Sequence, residues 1–251
     1  MSSKRPLKNI LISLPQPTEE GNPYFKLAQK WNIKFDFRKF IQVEGVSLND
    51  FRKQSVNPLD FTAVIFTSKV PVDHFFRLLT EMRIELPPDT KYFCVGEATA
   101  KYMQKYIVIR KRKLFVGERT YQDLIPFMSK HKKEKFLFPC NDVNQGGLIE
   151  HMRKLNLDVT EAIVHRTVDS DLKEIRGAQY DMICFFSPAE IKSWLNNFPE
   201  FEQKETSIAV FGQQTAAEAV RAGFRIDAEA PKPNIPSMTA AIEAFLQEAG
   251  K

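Results

Sequence analysis

The stretch Ala63-Val64-Ile65-Phe66-Thr67-Ser68 is a short apolar run that ends on hydroxyl side chains, and Met182-Ile183-Cys184-Phe185-Phe186-Ser187 repeats its pattern. A helix-like segment follows each copy, at residues 72–82 and 189–196. Short β-branched and aromatic runs that alternate with helices of about 10 to 15 residues are typical of β-α-β units. The stretch therefore predicts parallel sheets covered by helices.

A second feature repeats after each of these helices. The apolar runs at residues 92–95 and 208–211 end in Gly96 and Gly212, and each glycine opens another helix. The spacing from serine to glycine is 28 residues in the first copy and 25 in the second. A repeat of this length indicates that two parts of the chain share one architecture.

A weaker repeat supports the same interpretation. Residues 9–35 and 135–159 both have the order strand, loop, helix, strand. Together the two repeats predict an α/β protein with two similar parallel-sheet domains.

The repeated polar residues fall where parallel sheets bind ligands, at the carboxyl ends of strands. A glycine allows close approach of the backbone, and a helix N-terminus offers unpaired N–H groups to anionic oxygens. Because the residues occur in corresponding places of both halves, we expect a ligand cleft lined from both sides. The paired candidates are Ser68 with Ser187, Gly96 with Gly212, and Thr99 with Thr215.

Composition limits the class of protein. The chain has 251 residues, 43% of them hydrophobic, which is enough to build one large or two ordinary cores and excludes a disordered tail. Apolar runs of about five residues cannot span a bilayer, and no secretory signal is visible after Met1. We therefore expect a cytoplasmic protein with no membrane partner, and a monomer, since no coiled-coil pattern or large apolar face is evident.

The net charge of +5 is concentrated in the middle of the chain, where residues 47–165 hold 19 basic and 14 acidic residues. Its densest part is residues 101–113. Three interpretations stay open: a solvated face, a patch for nucleic acid in which Tyr102 and Tyr106 stack on bases, or a site for a polyanionic small molecule. The two tyrosines are four residues apart on a predicted helix, which favours rings that face the core.

The three cysteines, Cys94, Cys140 and Cys184, lie far apart and inside or just after apolar runs. None forms a C-x-x-C pair or has a histidine at ligand spacing, so the sequence predicts no structural metal site. We expect three free thiols that behave as small buried hydrophobes.

Several ordered runs resemble those of the uroporphyrinogen-III synthase family. They are Phe66-Thr67-Ser68, Val95-Gly96-Glu97-Ala98-Thr99-Ala100, Phe138-Pro139-Cys140, Phe185-Phe186-Ser187-Pro188, Phe211-Gly212-Gln213-Gln214-Thr215-Ala216 and the closing Ala228-Glu229-Ala230-Pro231. The resemblance extends from Asn9 onward. It implies a cofactor-free cytoplasmic enzyme of tetrapyrrole synthesis that cyclises hydroxymethylbilane to uroporphyrinogen III, with loss of water and inversion of ring D.

The resemblance also implies a domain arrangement. One discontinuous α/β domain is formed by residues 1–39 and 172–251, and residues 47–165 form a central α/β domain. Residues 40–46 and 166–171 are expected to be extended connectors, with the cleft between the domains.

The resemblance implies an anionic ligand for the basic middle of the chain. Hydroxymethylbilane is a polycarboxylate and needs a basic cleft rich in hydrogen-bond donors. Nine positions match the substrate-binding positions of the family: Ser68, Gly96, Thr99, Cys140, Asn141, Ser187, Pro188, Gly212 and Thr215. Neither a metal nor a nucleic-acid partner is implied.

The chain departs from the family at the position of a tyrosine that assists loss of the substrate hydroxyl, where His165 stands. An imidazole can donate a proton and titrates closer to neutrality than a phenol, so His165 is the candidate general acid. The alternative is a connector residue without chemistry. The other histidines, His74, His131 and His151, are expected on the surface without partners.

Arginines that many relatives carry are absent from the turn after the first strand, residues 12–15, and from the loop at 141–147. Together with the missing tyrosine, this leaves open a non-catalytic two-domain protein that binds a tetrapyrrole or another polyanion.

Overall fold

Two units, each with its own sheet, make up the part of the chain that the structure describes, which is residues 7–19, 21–108, 110–142 and 147–249 of a computed structural model. Unit 1 is formed by the described residues of Met1–Gln42 and Val168–Lys251, and unit 2 by those of Val43–Thr167.

Strands and helices alternate along most of the chain. The strands are β1 (Asn9–Ile12), β2 (Lys34–Phe37), β3 (Ile41–Gly45), β4 (Ala63–Phe66), β5 (Lys91–Val95), β6 (Leu114–Gly117), β7 (Lys135–Asn141), β8 (Asp158–Asp169), β9 (Met182–Phe185), β10 (Ser207–Phe211) and β11 (Ala228–Ala230). The α-helices are α1 (Pro23–Trp31), α2 (Leu48–Arg52), α3 (Lys69–Met82), α4 (Glu97–Met103), α5 (Ile125–Lys130), α6 (Gly147–Lys154), α7 (Pro188–Asn197), α8 (Gln213–Arg221) and α9 (Met238–Ala249).

The two sheets repeat one strand order. Unit 1 has the order β11-β10-β9-β1-β2, and unit 2 has β6-β5-β4-β7-β8 with β3 added beside β8. Every neighbouring pair in the unit 1 sheet is parallel, as are β4 with β5 and β7, β5 with β6, and β7 with β8. The predicted fold class, an α/β protein with two similar parallel sheets, is confirmed.

Both faces of each sheet are buried, which explains the continuous apolar runs in the sequence. In unit 1, Ile10 and Cys184 face the core shared with α1 and α9, whereas Leu11 and Phe185 face the core shared with α7 and α8. Alternate residues of β4 divide in the same way in unit 2, with Phe66 in one core and Ile65 in the other. Each unit therefore has three layers.

Two helices, α3 and α7, begin earlier than the sequence pattern predicted. Helix α3 begins at Lys69, three residues before the predicted start, and α7 begins at Pro188. Both helices start directly after a serine, and a proline stands in the first turn of each, at Pro71 and Pro188. Proline is well suited to a first helical turn because its missing N–H has no partner there.

The chain crosses between the units within β3 and returns within β8. Val46 N–H donates to Val164 O at 3.0 Å in unit 2, and Ser170 N–H donates to Phe40 O at 2.9 Å in unit 1. The segment 166–171, predicted to be a polar connector, is strand as far as Asp169. The domain limits inferred from the sequence, residues 1–39 with 172–251 and residues 47–165, stay a prediction.

All three thiols are free and buried, as predicted. Over the described ranges, no helix is long and apolar enough to cross a membrane.

Candidate functional site

The candidate residues of unit 1 follow the carboxyl ends of strands β9 and β10. Ser187 is the N-cap of α7 and is half-buried, and Pro188 begins that helix. Gly212 is the N-cap of α8. Because β9 and β10 are neighbouring parallel strands, these residues share one edge of the sheet.

The glycine turns of the two units have the same geometry. Gly96 has a φ of 77° and donates its N–H to Gly117 O at 2.9 Å, at the end of the neighbouring strand. Gly212 has a φ of 88° and donates to Ala230 O at 2.6 Å, also at the end of a neighbouring strand. Both conformations favour glycine, and both start a helix whose first N–H groups have no intrahelical acceptor.

The side chains near these turns differ in exposure. Ser68 is exposed and makes no capping hydrogen bond to α3, so its hydroxyl is available at the carboxyl edge of unit 2. Thr99, Thr215 and Cys140 are instead buried. The structure thus places Ser68 and the glycine backbones at the surface, with the two threonines beneath the turns.

His165 and Asn141 are brought together across neighbouring strands. They are register partners in the β7–β8 pair, at an irregularity between Cys140 and Asn141. His165 is 8% exposed, and its Nδ1 and the Asn141 Oδ1 are buried without a hydrogen-bond partner among the described residues. Most buried polar atoms are hydrogen-bonded, so these two atoms on adjacent strands are exceptions among the described residues.

His74 packs on His165. The two imidazole rings are stacked, with centroids 5.5 Å apart and an interplanar angle of 19°. The expectation that His74, His131 and His151 lie on the surface without partners was wrong, because the rings of His131 and His151 also contact aromatic rings, those of Phe115 and Tyr121. Contacts between distant elements decide these placements.

Burial and neighbouring charges both shift the pKa values of His74 and His165. Burial lowers the pKa of His165 most strongly, His74 lowers it further, and Asp142 opposes the shift. The pKa of His74 is lowered by burial and by Arg77, against a raising effect of Asp73. Both rings are therefore mainly neutral at neutral pH.

Replacing His74 with phenylalanine is expected to raise the pKa of His165, because ring stacking is kept while the neighbouring positive charge is removed. Asp142→Asn is expected to lower the pKa of His165, because it removes a favourable negative charge. An NMR titration of the imidazole signals between about pH 5 and 8 measures both shifts. Shifts of the same sign in the two variants would contradict the charge assignment.

A buried carboxyl group at the edge of unit 1 was missed by the sequence analysis. Glu190, in the first turn of α7, is 4% exposed and accepts a hydrogen bond from Ser13 Oγ at 2.5 Å. Its same oxygen accepts the backbone N–H groups of Phe186 at 2.6 Å and Ser187 at 3.2 Å. The spacing of Ser187 and Glu190, a serine followed three residues later by glutamate, was the available signal.

This carboxyl group ties the loop after β1 to the loop after β9. The turn that lacks the family arginine therefore has its own anchor, in which Ser13 is the donor. Burial raises the pKa of Glu190, and its hydrogen bonds offset part of that increase.

The basic segment at residues 101–113 is partly structural. Lys113 is buried and donates to Pro88 O and to the Asp89 carboxylate. The Tyr102 and Tyr106 hydroxyls both contact the Asp73 carboxylate, and both rings pack against the core of unit 2. This confirms that the tyrosine rings face the core, and it leaves them engaged within the protein instead of free to stack on bases.

Within the described ranges, no group of three or more His, Cys, Asp and Glu side chains could hold a metal ion. Burial raises the pKa of the Cys94 and Cys140 thiols to about 12, so both are protonated at neutral pH. Protonated thiols are poor nucleophiles and poor metal ligands. Residues 143–146, which belong to the loop at 141–147 where the arginines of many relatives are absent, lie outside the described residues.

The sheets and turns define a class of protein. It is an α/β protein with two repeated parallel sheets, each with a helix that starts at a glycine on its carboxyl edge. The sequence model of the family described as "Uroporphyrinogen-III synthase HemD" matches residues 39–240. The chain belongs to the uroporphyrinogen-III synthase family.

Individual relatives agree with this membership. A protein of Methanocaldococcus jannaschii named "Putative uroporphyrinogen-III synthase" is 26% identical over 249 residues, covering 94% of this chain and 96% of its own. The crystal structure of uroporphyrinogen-III synthetase from Helicobacter pylori has a TM-score of 0.61 at 19% identity and covers 96% of this chain and 100% of its own. A mutant uroporphyrinogen III synthase from Thermus thermophilus has a TM-score of 0.54 at 13% identity, covering 96% and 98%. At these identities the two structures support the fold alone.

Proposed function

We propose that this chain is an active uroporphyrinogen-III synthase, which cyclises hydroxymethylbilane to uroporphyrinogen III with loss of water and inversion of ring D. The observation that carries the proposal is the glycine-led helix start at the carboxyl edge of both sheets, in a chain that belongs to this family. The proposal includes a cytoplasmic monomer that needs no cofactor.

The substrate's carboxylates suit the two glycine turns. In each turn the glycine N–H is used within the protein, while residues 97–98 and 213–214, the first of the following helices, are exposed. A helix start presents N–H groups and a partial positive charge to an anionic oxygen. We assign acetate and propionate groups of the substrate to these turns, with Ser68 as a further donor in unit 2.

The charge excess of unit 2 supports the same assignment. Lys69 follows Ser68 directly, and its ammonium group lies 5.4 Å from the centre of the Tyr102 ring. Lys105 lies over the same ring at 5.5 Å. A positive charge next to the carboxyl edge, such as that of Lys69, raises the local concentration of a polyanionic substrate.

His165 is assigned the proton donor for loss of the ring A hydroxyl, which leaves an azafulvene cation. Its lowered pKa means that the protonated form is a minor species at neutral pH and grows as the pH falls. Attack by the substituted carbon of ring D then gives a spiro intermediate, and its fragmentation and reclosure invert the ring. Apart from this proton transfer, the protein's task is to hold a flexible substrate in one productive conformation.

The decisive experiment supplies freshly generated hydroxymethylbilane to the purified protein between about pH 6 and 9 and separates the uroporphyrin isomers after oxidation. We expect isomer III, with a turnover that rises as the pH falls. His165→Phe should lose about a hundredfold in turnover, as is typical when a positioned acid is removed, and should lose that rise.

His151→Phe is the matched control, because it replaces a histidine of unit 2 that also packs on an aromatic ring, that of Tyr121, and is not a candidate site residue. Its turnover should equal that of the wild type. Isomer I alone, at the spontaneous rate, would instead identify a family member that binds a tetrapyrrole without catalysis. Full activity of the His165→Phe variant would mean that His165 is a connector residue without chemistry.

A further inference from the structure

One face of helix α3 lies against the strands that cross into and out of unit 2. His74 and Arg77 are three residues apart on α3 and so share that face. Arg77 Nη2 donates to Val46 O at 2.6 Å, directly after β3, and Val46 N–H donates to Val164 O on β8 at 3.0 Å. This face of α3 is therefore anchored beside the part of β8 that carries His165.

The His165 imidazole has no hydrogen bond that fixes its Nδ1 side. The residue is 8% exposed, and Nδ1 is buried without a partner among the described residues. In an acting histidine, a hydrogen bond at one ring nitrogen normally sets the tautomer and the orientation of the ring. The stacked ring of His74, at 5.5 Å between centroids, is the contact that takes the place of such a bond.

Gly45 on β3 leaves the space that the His74 ring needs. A Cβ placed on Gly45 would lie 2.7 Å from His74 Nδ1, 3.0 Å from His74 Cε1 and 2.8 Å from Arg77 Nη2. The φ of Gly45 is not positive, so glycine is required here by this close approach and not by the backbone conformation. A larger residue at position 45 would displace the imidazole that stacks on His165.

We propose that His74 is a positioning residue, which holds the His165 imidazole in the orientation used for proton donation, in a space that Gly45 keeps open. This role rests on the proposed function, in which His165 gives its proton to the departing hydroxyl. His74 acts through His165, and it is assigned no contact with the substrate.

Three charged groups act on the two imidazoles. Asp142 acts on His165 from the end of β7, and Asp73 and Arg77 act on His74 from α3. At its contact with His74, β3 presents Gly45, which has no side chain to titrate. Because the charge of His74 lowers the pKa of His165, an uncharged ring at position 74 should raise it.

The test measures kcat and KM for formation of isomer III across the pH range in three variants. His74→Ala removes the stacked ring and should lower kcat about tenfold with KM unchanged, because the proton donor is misplaced while substrate binding is not touched. Gly45→Ala should lower kcat in the same way, by displacing the His74 ring. His74→Phe keeps a flat ring, so it should retain the wild-type kcat at low pH, and its rise in turnover should begin at a higher pH.

A double variant separates positioning from a merely structural role. If His74 acts through His165, adding His74→Ala to His165→Phe should cause no further loss of kcat, although each change alone lowers it. A ring that serves only the stability of unit 2 would give losses that multiply. The control is His131→Ala, since the His131 ring packs on Phe93 and Phe115 and lies before β7, at the amino edge of the sheet; it should keep the wild-type kcat.

The outcomes distinguish this role from the proposed function. With a wild type that forms isomer III, full kcat in His74→Ala, or an unshifted pH profile in His74→Phe, would overturn the positioning role. Multiplied losses in the double variant would overturn it too, because His74 would then act independently of His165. A wild type that forms isomer I alone would instead overturn the proposed function, and the role of His74 in turnover with it.

Discussion

Replacing Gly212 with alanine is expected to lower turnover of hydroxymethylbilane by about tenfold or more and the free energy of unfolding by about 1–2 kcal/mol. Gly212 has φ 88° and ψ 148°, a conformation that only glycine adopts readily. An added Cβ would meet no atom within 4 Å, so backbone torsion is the cause of the loss. Relief of that strain would rotate the peptide groups and displace the helix start from the substrate carboxylate. Isomer-resolved turnover and chemical denaturation measure the two losses.

Two other glycines separate the effect on function from the effect on stability. Gly223 has a φ of 81° and equally open surroundings, but it follows the end of α8, so Gly223→Ala should lose stability through its own positive φ and lose no turnover. Gly21→Ala should lose neither, since Gly21 has open space and no positive φ. If Gly212→Ala loses stability but keeps full turnover, as expected of Gly223→Ala, the turn does not bind substrate.

The sequence predicted the fold because the decisive information is local. Each buried parallel strand appears as one apolar run, such as residues 63–66, and each glycine turn as a residue type at the end of a run. The repeat then gave each signal twice, which is why two similar parallel sheets could be predicted. Helix starts were less accurate, since the first turn of α3 contains Pro71 and belongs to no periodic pattern.

The parts of the candidate site that the sequence did not predict depend on contacts between distant residues. Ser13 and Glu190 are separated by 177 positions, and the imidazoles of His74 and His165 meet only because α3 packs beside the end of β8. Each of these residues has an ordinary local sequence around it. Their burial and pKa shifts arise from tertiary packing, which local periodicity does not encode.

Acid changes the stability contributions of the buried groups in opposite directions: those of His74 and His165 in unit 2 fall, and that of Glu190 in unit 1 rises. In unit 2 the lowered pKa values of His74 and His165 mean that the unfolded chain binds protons more readily than the folded one. Their contribution to stability therefore falls as the pH drops through the histidine range. In unit 1 the raised pKa of Glu190 means that the folded chain holds its proton more tightly than the unfolded one.

Glu190→Ala is expected to lower the free energy of unfolding by about 3 kcal/mol or more, because it leaves buried donors without an acceptor. These donors are Ser13 Oγ and the N–H groups of Phe186 and Ser187. Glu190→Gln keeps an oxygen acceptor and should lose about 1 kcal/mol. Glu174→Ala is the control: its ion pair with Arg38 is exposed, so chemical denaturation should show a change of about 0.5 kcal/mol or less.

The pH dependence of the Glu190→Gln variant tests the cause of the raised pKa. Because burial raises the pKa of Glu190, its stabilising contribution is complete below the unfolded pKa of about 4.3 and is lost as the pH rises through the folded value. The wild type should therefore lose stability relative to Glu190→Gln as the pH is raised from about 4 to 8. A difference between the two proteins that stays constant with pH would mean that the hydrogen bonds from Ser13 and the backbone fully offset the cost of burying the carboxylate.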